Sequence, residues 1–294
     1  MNQRRSLVTA LLLTWFAVMG VCAEDAEPNL KYSKELRFQS EGSWLPALFY
    51  GAAGAGPHPT VILLHGYPGN EKNLDIAQGL RSAGYNVMFF HYRGAWGAEG
   101  EFGFLNAEAD VQAAITFLTD SEQAEALRID VERVSLVGHS MGGHMAIAGI
   151  QQSQDLQCAV AYDTANIGVT FAADSVDGDT QELTEKERAW MAYGDSLFML
   201  RGWSGAKSRQ QAMDHRERLD LRNHVAGIGD RGVLLVAADS DVIPVARIEN
   251  LAEAMKEAQV PVTYVLMKDD HSFNNHRDEL LALTREFLDA HCSQ

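Results

Sequence analysis

Two hydrophobic patterns alternate along most of the chain. Short runs of β-branched, aliphatic or aromatic residues predict strands, and stretches with apolar residues at helical spacing separate most of them. The predicted strands are Thr60 to Leu64, Asn86 to His91, Arg133 to Val137, Cys158 to Tyr162, Gly232 to Ala237 and Val262 to Met267. The predicted helices are Leu74 to Ser82, Ala107 to Leu118, Met141 to Ile150, Val245 to Ala258 and Arg277 to Ala290.

This alternation is typical of βαβ units, so it predicts an α/β fold with a mostly parallel, doubly wound sheet. The strand cores are apolar nearly throughout, as expected for strands that helices cover on both faces. The stretch from Leu36 to Tyr50 is interrupted by the turn residues Glu41 to Ser43. It predicts an antiparallel hairpin at the leading edge of the sheet.

The alternation fails once, between about Thr164 and Asp230, where no convincing strand is present. Helix-like stretches lie near Glu185 to Leu200 and Ser208 to His224. An insert of this length with its own helices predicts a cap above the carboxyl edge of the strands. Its larger apolar residues are expected partly in the core of the cap and partly along an apolar acyl or aryl pocket; they are Trp190, Tyr193, Phe198, Met199 and Trp203.

The first 23 residues have the three parts of a secretory signal. Arg4 and Arg5 precede an apolar run from Leu7 to Val21, and small residues follow at Cys22 and Ala23. The run is short for a membrane span, which needs about 20 apolar residues. We therefore expect residues 1–23 to be cleaved, residues 24–294 to form one large domain, and the mature protein to be secreted or periplasmic without a stable membrane association.

The charge balance limits the possible partners. The 294 residues include 24 Lys and Arg against 40 Asp and Glu, for a net charge of −16. Removal of the signal takes away two arginines and no acidic residue, so the net charge of the mature chain becomes −18. Nucleic acids and anionic membrane surfaces are poor partners for such a chain, because phosphate binding needs clustered Lys and Arg.

Few residues suggest covalent links or metal ligands. Cys158 and Cys292 remain after the signal, and in an oxidising compartment they either pair or stay as two separate thiols. No spacing typical of metal ligands is present, so no metal and no organic cofactor is expected.

The segment Gly138 to Gly143 (GHSMGG) follows a predicted strand and precedes a predicted helix. It matches the Gly-x-Ser-x-Gly nucleophile elbow, in which side chains two positions from the serine would collide at a sharp turn. Ser140 is the predicted nucleophile. The amide of Met141, at a helix N-terminus, is predicted to face an oxyanion. The alternative interpretation is a glycine-rich packing turn.

A second segment, His65 to Gly69 (HGYPG), directly follows an earlier strand. In hydrolases of this kind a turn at that position provides the other oxyanion amide. Tyr67 is predicted to donate it, and the glycines allow the backbone to approach. The alternative is a turn that only reverses the chain.

The serine needs a base and an acid. His271, after the last predicted strand and before the last helix, is the predicted base. Asp241, after the strand Gly232 to Ala237, is the preferred acid, because it completes the chain order Ser, Asp, His. Asp239 is two residues away, and Asp163 ends the strand after the elbow; both remain alternatives.

From about Thr60 to Ala290 the chain resembles α/β-hydrolases. The branch that it resembles most is shared by dienelactone-hydrolase-like esterases and prolyl-oligopeptidase-type peptidases. The similar segments are HGYPG from His65, YRGAWG from Tyr92, GHSMGG from Gly138, and Asp241 with Asp270 to Phe273. The resemblance implies Ser140, Asp241 and His271 as nucleophile, acid and base. One departure is Ala238, where the family often has glycine three residues ahead of the acid.

These features together predict a carboxylesterase-like serine hydrolase that forms an acyl-enzyme. The expected substrate is a small-molecule ester or a short peptide. A serine peptidase of the prolyl-oligopeptidase or aminopeptidase type is the second hypothesis, and a non-catalytic binding protein on a hydrolase scaffold is the third. The physiological substrate and the oligomeric state stay open.

Overall fold

The computed structural model describes residues 30–170, 185–240 and 242–292. The predicted signal, residues 1–23, and the preferred acid, Asp241, lie outside this part of the chain. The described strands form one sheet in the order β1-β2-β4-β3-β5-β6-β7-β8. They are β1 Tyr32–Ser40, β2 Ser43–Gly51, β3 His58–Leu64, β4 Asn86–Phe90, β5 Ile129–His139, β6 Leu156–Tyr162, β7 Gly232–Ala238 and β8 Val262–Met267.

Strands β1 and β2 form the predicted hairpin, and β2 pairs antiparallel with β4. All the other pairings, from β4 through β3 to β8, are parallel. The prediction of a mostly parallel α/β sheet is confirmed. Parallel strands end at the same edge, so the loops that follow β3 to β8 at their carboxyl ends all lie on one side of the molecule.

The α-helices of the described chain follow the strands and cover both faces of the sheet. They are α1 Leu74–Ser82, α2 Phe104–Thr119, α3 Ser121–Leu127, α4 Met141–Gln152, α5 Glu185–Asp195, α6 Gly205–Asp214, α7 Arg216–Leu219, α8 Val245–Glu257 and α9 Arg277–His291. Side chains alternate along β3, so Val61 and Leu63 pack with α1 and α9, whereas Ile62 and Leu64 pack with α2, α4 and α8. This two-sided burial explains why the strand sequences are apolar throughout.

Helix α3 is absent from the sequence prediction, because its seven residues are too few to show helical periodicity. Its start is fixed by Asp120, whose carboxylate accepts hydrogen bonds from the amides of Glu122 and Gln123, each at 3.1 Å. Such an N-cap satisfies amides that the first turn leaves without partners.

Between β6 and β7 the described residues, 164–170 and 185–230, contain helices and no strand. They comprise α5, α6 and α7 with two 3-10 helices, Ile167–Val169 and Leu221–Ile228. The larger apolar residues of this cap differ in exposure. Trp190, Met199 and Trp203 pack against the main core, whereas Phe198 is 90% exposed.

Cys158 and Cys292 form a disulfide with their Cα atoms 5.5 Å apart. Cys158 lies on β6, and Cys292 immediately follows α9, so the bond ties the middle of the sheet to the last helix. Among the described residues, no helix has both the length and the apolar character needed to cross a membrane.

Candidate active site

Ser140 is the single residue between the end of β5 and the start of α4. Its backbone has φ 58° and ψ −117°, a conformation that non-glycine residues rarely adopt. Hydrogen bonds on both sides hold it there. The Ser140 amide donates to the Tyr162 carbonyl at 2.8 Å, and the Ser140 carbonyl accepts from the Ala165 amide at 3.1 Å. The strain is therefore supported by the neighbouring strand β6 and the residues that follow it.

The glycines around Ser140 are required by contacts between backbones. A Cβ atom on Gly138 would overlap the carbonyl of Gly142, and a Cβ on Gly142 would overlap the carbonyl of Leu64. On Gly143 it would lie 2.8 Å from Thr164 Oγ1. The steric reason for the Gly-x-Ser-x-Gly pattern is thus present in the structure.

The segment that follows β3 lies directly against Ser140. A Cβ atom on Gly66 would be 3.0 Å from Ser140 Cβ and 3.5 Å from Ser140 Oγ. Within the described residues, the amides of Tyr67 and Met141 donate to no other group. Backbone amides without another acceptor are the kind of donor that can stabilise an oxyanion.

Two histidines, His65 and His91, stabilise the predicted oxyanion loop, residues 65–69. His65 Nδ1 donates to the Gly66 carbonyl at 2.8 Å. Burial lowers the pKa of His65 to about 3, so its ring is neutral and Nε2 accepts a hydrogen bond from His91 Nδ1 at 3.3 Å. Gly69 has φ 94°, and a Cβ atom there would overlap the His65 ring. The loop therefore needs both the glycine and a neutral His65.

His271 lies in the loop after β8 and has a carboxylate partner. Its Nδ1 is 2.5 Å from Oδ2 of Asp163, which is fully buried at the end of β6. The other oxygen of Asp163 accepts from the Ala238 amide at 3.1 Å, and Oδ2 also accepts from Ser240 Oγ at 3.2 Å. A carboxylate on Nδ1 holds the proton there and leaves Nε2 as the basic atom of the ring.

The geometry therefore supports Asp163, one of the two alternatives to Asp241 that the sequence offered, as the acid. Asp241, the preferred residue, lies outside the described residues, so no contact with His271 is attributed to it. Asp239 lines a cavity beside His271, but the Nδ1 hydrogen bond goes to Asp163. The physical reason is a turn: Asp163 has φ 37°, which directs its carboxylate toward the end of β7 and the base.

His139, to which the sequence interpretation gave no role, contacts His271. Its Nε2 donates to the backbone carbonyl of His271 at 2.7 Å, and the two rings are 4.5 Å apart. Burial lowers the pKa of His139 to about 3, with a further contribution from His271, so the ring stays neutral. Ser140 Oγ and His271 are not hydrogen-bonded to each other in the described chain.

Asp269 shapes the loop that carries His271. Its buried carboxylate accepts from His276 Nδ1 at 2.8 Å and from Asn275 Nδ2 at 2.7 Å. Burial raises the pKa of Asp269, but these hydrogen bonds outweigh that effect and lower it to about 2. The loop thus closes around an ionised carboxylate, and this closure holds His271 in place.

A cavity of about 450 Å³ adjoins His271 at the carboxyl edge of β7 and β8. Its lining includes the carboxylates of Asp239 and Asp270, and the remaining residues are Ser240, Val242, Asp269, His271, Ser272 and Asn274. In the described ranges no three His, Cys, Asp or Glu side chains are grouped so as to hold a metal ion.

The strained Ser140 at the β5–α4 turn and the order of the strands in the sheet are features that can be compared with those of known protein families. The family model described as "Alpha/beta hydrolase family" matches residues 61–283. The chain therefore belongs to the α/β-hydrolase family, as the resemblance of its motifs implied.

Solved structures show the same fold at low sequence identity. Est1E from Butyrivibrio proteoclasticus with bound ferulic acid has a TM-score of 0.68 and 15% identity, over 88% of this chain and 100% of that chain. The Pyrococcus furiosus esterase Pf2001 has a TM-score of 0.63 and 18% identity, over 90% and 92%. The Pyrococcus horikoshii acylaminoacyl peptidase has a TM-score of 0.67 and 16% identity, over 90% of this chain but 42% of the peptidase.

Among curated proteins, the chain is 33% identical over 137 residues to an uncharacterized 31.7 kDa protein of the traX-finO intergenic region in Escherichia coli. The match covers 45% of this chain and 44% of that relative, so it spans less than half of either protein.

Proposed function

We propose that the protein is an exported serine hydrolase that cleaves ester bonds through an acyl-enzyme. Ser140 is the nucleophile, His271 the base and Asp163 the acid, and the amides of Tyr67 and Met141 form the oxyanion hole. The observation that carries this proposal is the hydrogen bond between the buried Asp163 and His271. A second hydrogen bond, from His139 to the His271 carbonyl, connects the His271 loop to the residue that precedes the strained Ser140.

The mechanism follows from the tautomer of His271. Because Asp163 accepts the Nδ1 proton, the Nε2 lone pair is free to take the proton of Ser140 as its oxygen attacks the ester carbonyl. The Tyr67 and Met141 amides then bind the negative oxygen of the tetrahedral intermediate, an effect of about 3 kcal/mol per donor. His271 next protonates the departing alcohol, and water repeats the same steps on the acyl-serine.

One feature of the cap favours esters as substrates. Close to the oxyanion loop, the cap contributes Trp190 as a half-buried apolar wall. Such a wall suits an aryl or acyl group that makes no polar contacts.

A peptidase is the second candidate, and the cavity beside His271 is the observation that favours it. The carboxylates of Asp239 and Asp270 on its wall suit a substrate with a positively charged amino group. The fold similarity to an acylaminoacyl peptidase is consistent with this candidate.

A panel of nitrophenyl esters and aminoacyl-nitroanilides separates the candidates. We expect the wild type to hydrolyse the esters with the higher kcat/KM and Ser140→Ala to lose this activity. Faster cleavage of the anilides would identify a peptidase. Binding of panel compounds without turnover of any of them would support the non-catalytic binding protein.

Export is the other part of the proposal. The basic, apolar and small-residue pattern of residues 1–23 supports it, and so does the disulfide between Cys158 and Cys292, because such bonds persist in oxidising compartments. N-terminal sequencing of protein recovered outside the cytoplasm should find a start near Glu24. An intact Met1 on cytoplasmic protein would contradict export.

A further inference from the structure

The side chain of Tyr67 belongs to the cap, although its backbone belongs to the oxyanion loop. Its ring stacks on Trp190 of α5 with centroids 5.4 Å apart and an interplanar angle of 23°. Its Oη accepts a hydrogen bond from Trp203 Nε1 at 2.8 Å. A Cβ atom on Gly194 would lie only 3.2 Å from this Oη, so α5 approaches the hydroxyl closely. The hydroxyl of Tyr67 is therefore enclosed by the cap.

Trp203 is itself held in a defined position. Its ring meets Phe102 edge-on at 5.0 Å and Phe104 at 5.1 Å. The next residue, Ser204, is the N-cap of α6, and its hydroxyl accepts from the Lys207 amide at 3.2 Å. These contacts thus fix the direction of the indole N–H independently of its hydrogen bond to Tyr67.

A second contact joins the same two regions through the loop after β4. Trp96 Nε1 donates to the Pro68 carbonyl at 2.8 Å, and the Trp96 amide donates to the Met199 carbonyl of the cap at 2.9 Å. The backbone after Tyr67 is therefore fixed on one side by Trp96, and the side chain of Tyr67 is fixed on the other by Trp203.

We propose that Trp203 is a positioning residue, which sets the place of the Tyr67 amide in the oxyanion hole through the hydroxyl of Tyr67. This inference rests on the proposed hydrolase function. Loss of this hydrogen bond leaves the indole N–H and the phenol hydroxyl without their partners, and the oxyanion loop, residues 65–69, can then change its position. An oxyanion donor acts on charge that develops only in the transition state, so its displacement lowers kcat and leaves KM nearly unchanged.

A double-mutant cycle tests the coupling. Trp203→Phe removes the indole N–H and keeps a ring, and Tyr67→Phe removes the hydroxyl and keeps the backbone amide. We expect each variant to lose roughly tenfold in kcat on a nitrophenyl ester, with KM within about twofold. The double variant should be no slower than either single one, because both remove the same interaction.

Tyr85→Phe is the matched control. Tyr85 is also buried, and its hydroxyl donates to Asp289 at 2.6 Å, but it precedes β4 and so lies at the opposite edge of the sheet. This variant should lose stability in a thermal melt without a change in kcat. If Trp203→Phe does not fold, Tyr67→Phe tests the same bond from its other end.

Three results would overturn the positioning role alone, and a fourth would overturn the proposed function with it. Additive losses in the double variant would show that the two side chains act separately. A rise in KM at constant kcat would make them walls of the substrate pocket. A wild type that hydrolyses no ester would overturn the proposed function itself, and the positioning role with it. Ester turnover with unaltered kcat in both single variants would overturn the positioning role alone.

Discussion

The proposed nucleophile, Ser140, and its proposed base, His271, are held in different ways. Ser140 is fixed by its own neighbours, because three glycines within three residues of it let the backbones of β3, β5 and α4 touch. His271 sits on a loop and is held by groups from elsewhere, namely the Asp163 carboxylate after β6 and the His139 imidazole at the end of β5.

This difference determines which parts of the site can be predicted from the sequence. Local constraint leaves a local pattern, so the elbow can be recognised from six consecutive residues. The support of His271 joins residues 108 and 132 positions apart, and the partner of its Nδ1 depends on one positive φ at Asp163. Changes in the two regions should accordingly have different effects.

The largest effect should come from Asp163. Asp163→Asn removes the acceptor of the Nδ1 proton, and the ring can adopt the wrong tautomer. We expect a loss of about 10³ to 10⁴ in kcat on an ester substrate, the size known for such a change in a serine protease. Steady-state kinetics well above the usual pKa of histidine, with a thermal melt to check folding, measures it.

Asp239→Asn and Asp241→Asn are the matched variants, since each removes one carboxylate from the stretch of sequence that follows β7. Each should lose under about tenfold in kcat. A loss of a hundredfold or more in Asp241→Asn, together with a mild effect in Asp163→Asn, would return the role of the acid to the residue that the sequence favours.

The disulfide tests whether a link distant from His271 affects stability or catalysis. Cys158 and Cys292 are 134 residues apart in sequence. They join β6, which Asp163 immediately follows, to α9, which comes after the His271 loop. Replacing both by Ser should lower the free energy of unfolding by about 4 kcal/mol. The elbow should stay intact, so kcat at 25 °C should change little.

Urea denaturation of the wild type, with and without reductant, gives the same comparison without mutation. Reductant should destabilise the wild type and leave the double-serine variant unchanged. Equal midpoints in both conditions, with two free thiols titrated in the untreated wild type, would contradict the pairing.

Glycine substitution tests the elbow. Gly142→Ala places a methyl group on the Leu64 carbonyl, a backbone atom that cannot move aside. We expect a loss of roughly 3 kcal/mol in the free energy of unfolding. Gly84→Ala is the control, because Gly84 has φ 98° but nothing within 4 Å of the added methyl; it should lose about 1 kcal/mol from backbone strain alone. Equal losses would remove the steric explanation.

A smaller effect should appear with pH. Burial lowers the pKa of His139 from its ordinary value of 6.5 to about 3, so its contribution to stability is complete above pH 6.5 and is lost as the pH falls toward 3. At pH 5 the cost of keeping this ring neutral is on the order of 2 kcal/mol. Urea unfolding of wild type and His139→Phe at pH 7 and pH 5 should show a shallower pH dependence in the variant. Parallel curves would show that His139 is not held neutral.

Much of the fold follows from the sequence, because buried parallel strands and amphipathic helices carry their own periodicity. The bounds of α1 and β8 agree with the prediction at both ends. The pairing of Asp163 with His271 and the bond between Trp203 and Tyr67 could not be predicted, because they depend on how distant loops meet. The sequence also left open whether Cys158 and Cys292 pair, since spacing alone does not determine the distance between them.

The most direct test of the central claim is covalent labelling of the mature protein with a fluorophosphonate probe. Mass spectrometry of the digested wild type should find the phosphonyl group on Ser140, and Ser140→Ala should take up none. Labelling of Asp163→Asn should be slower but at the same residue. Equal labelling of wild type and Ser140→Ala, or a label on another serine, would contradict the assignment of Ser140 as the nucleophile.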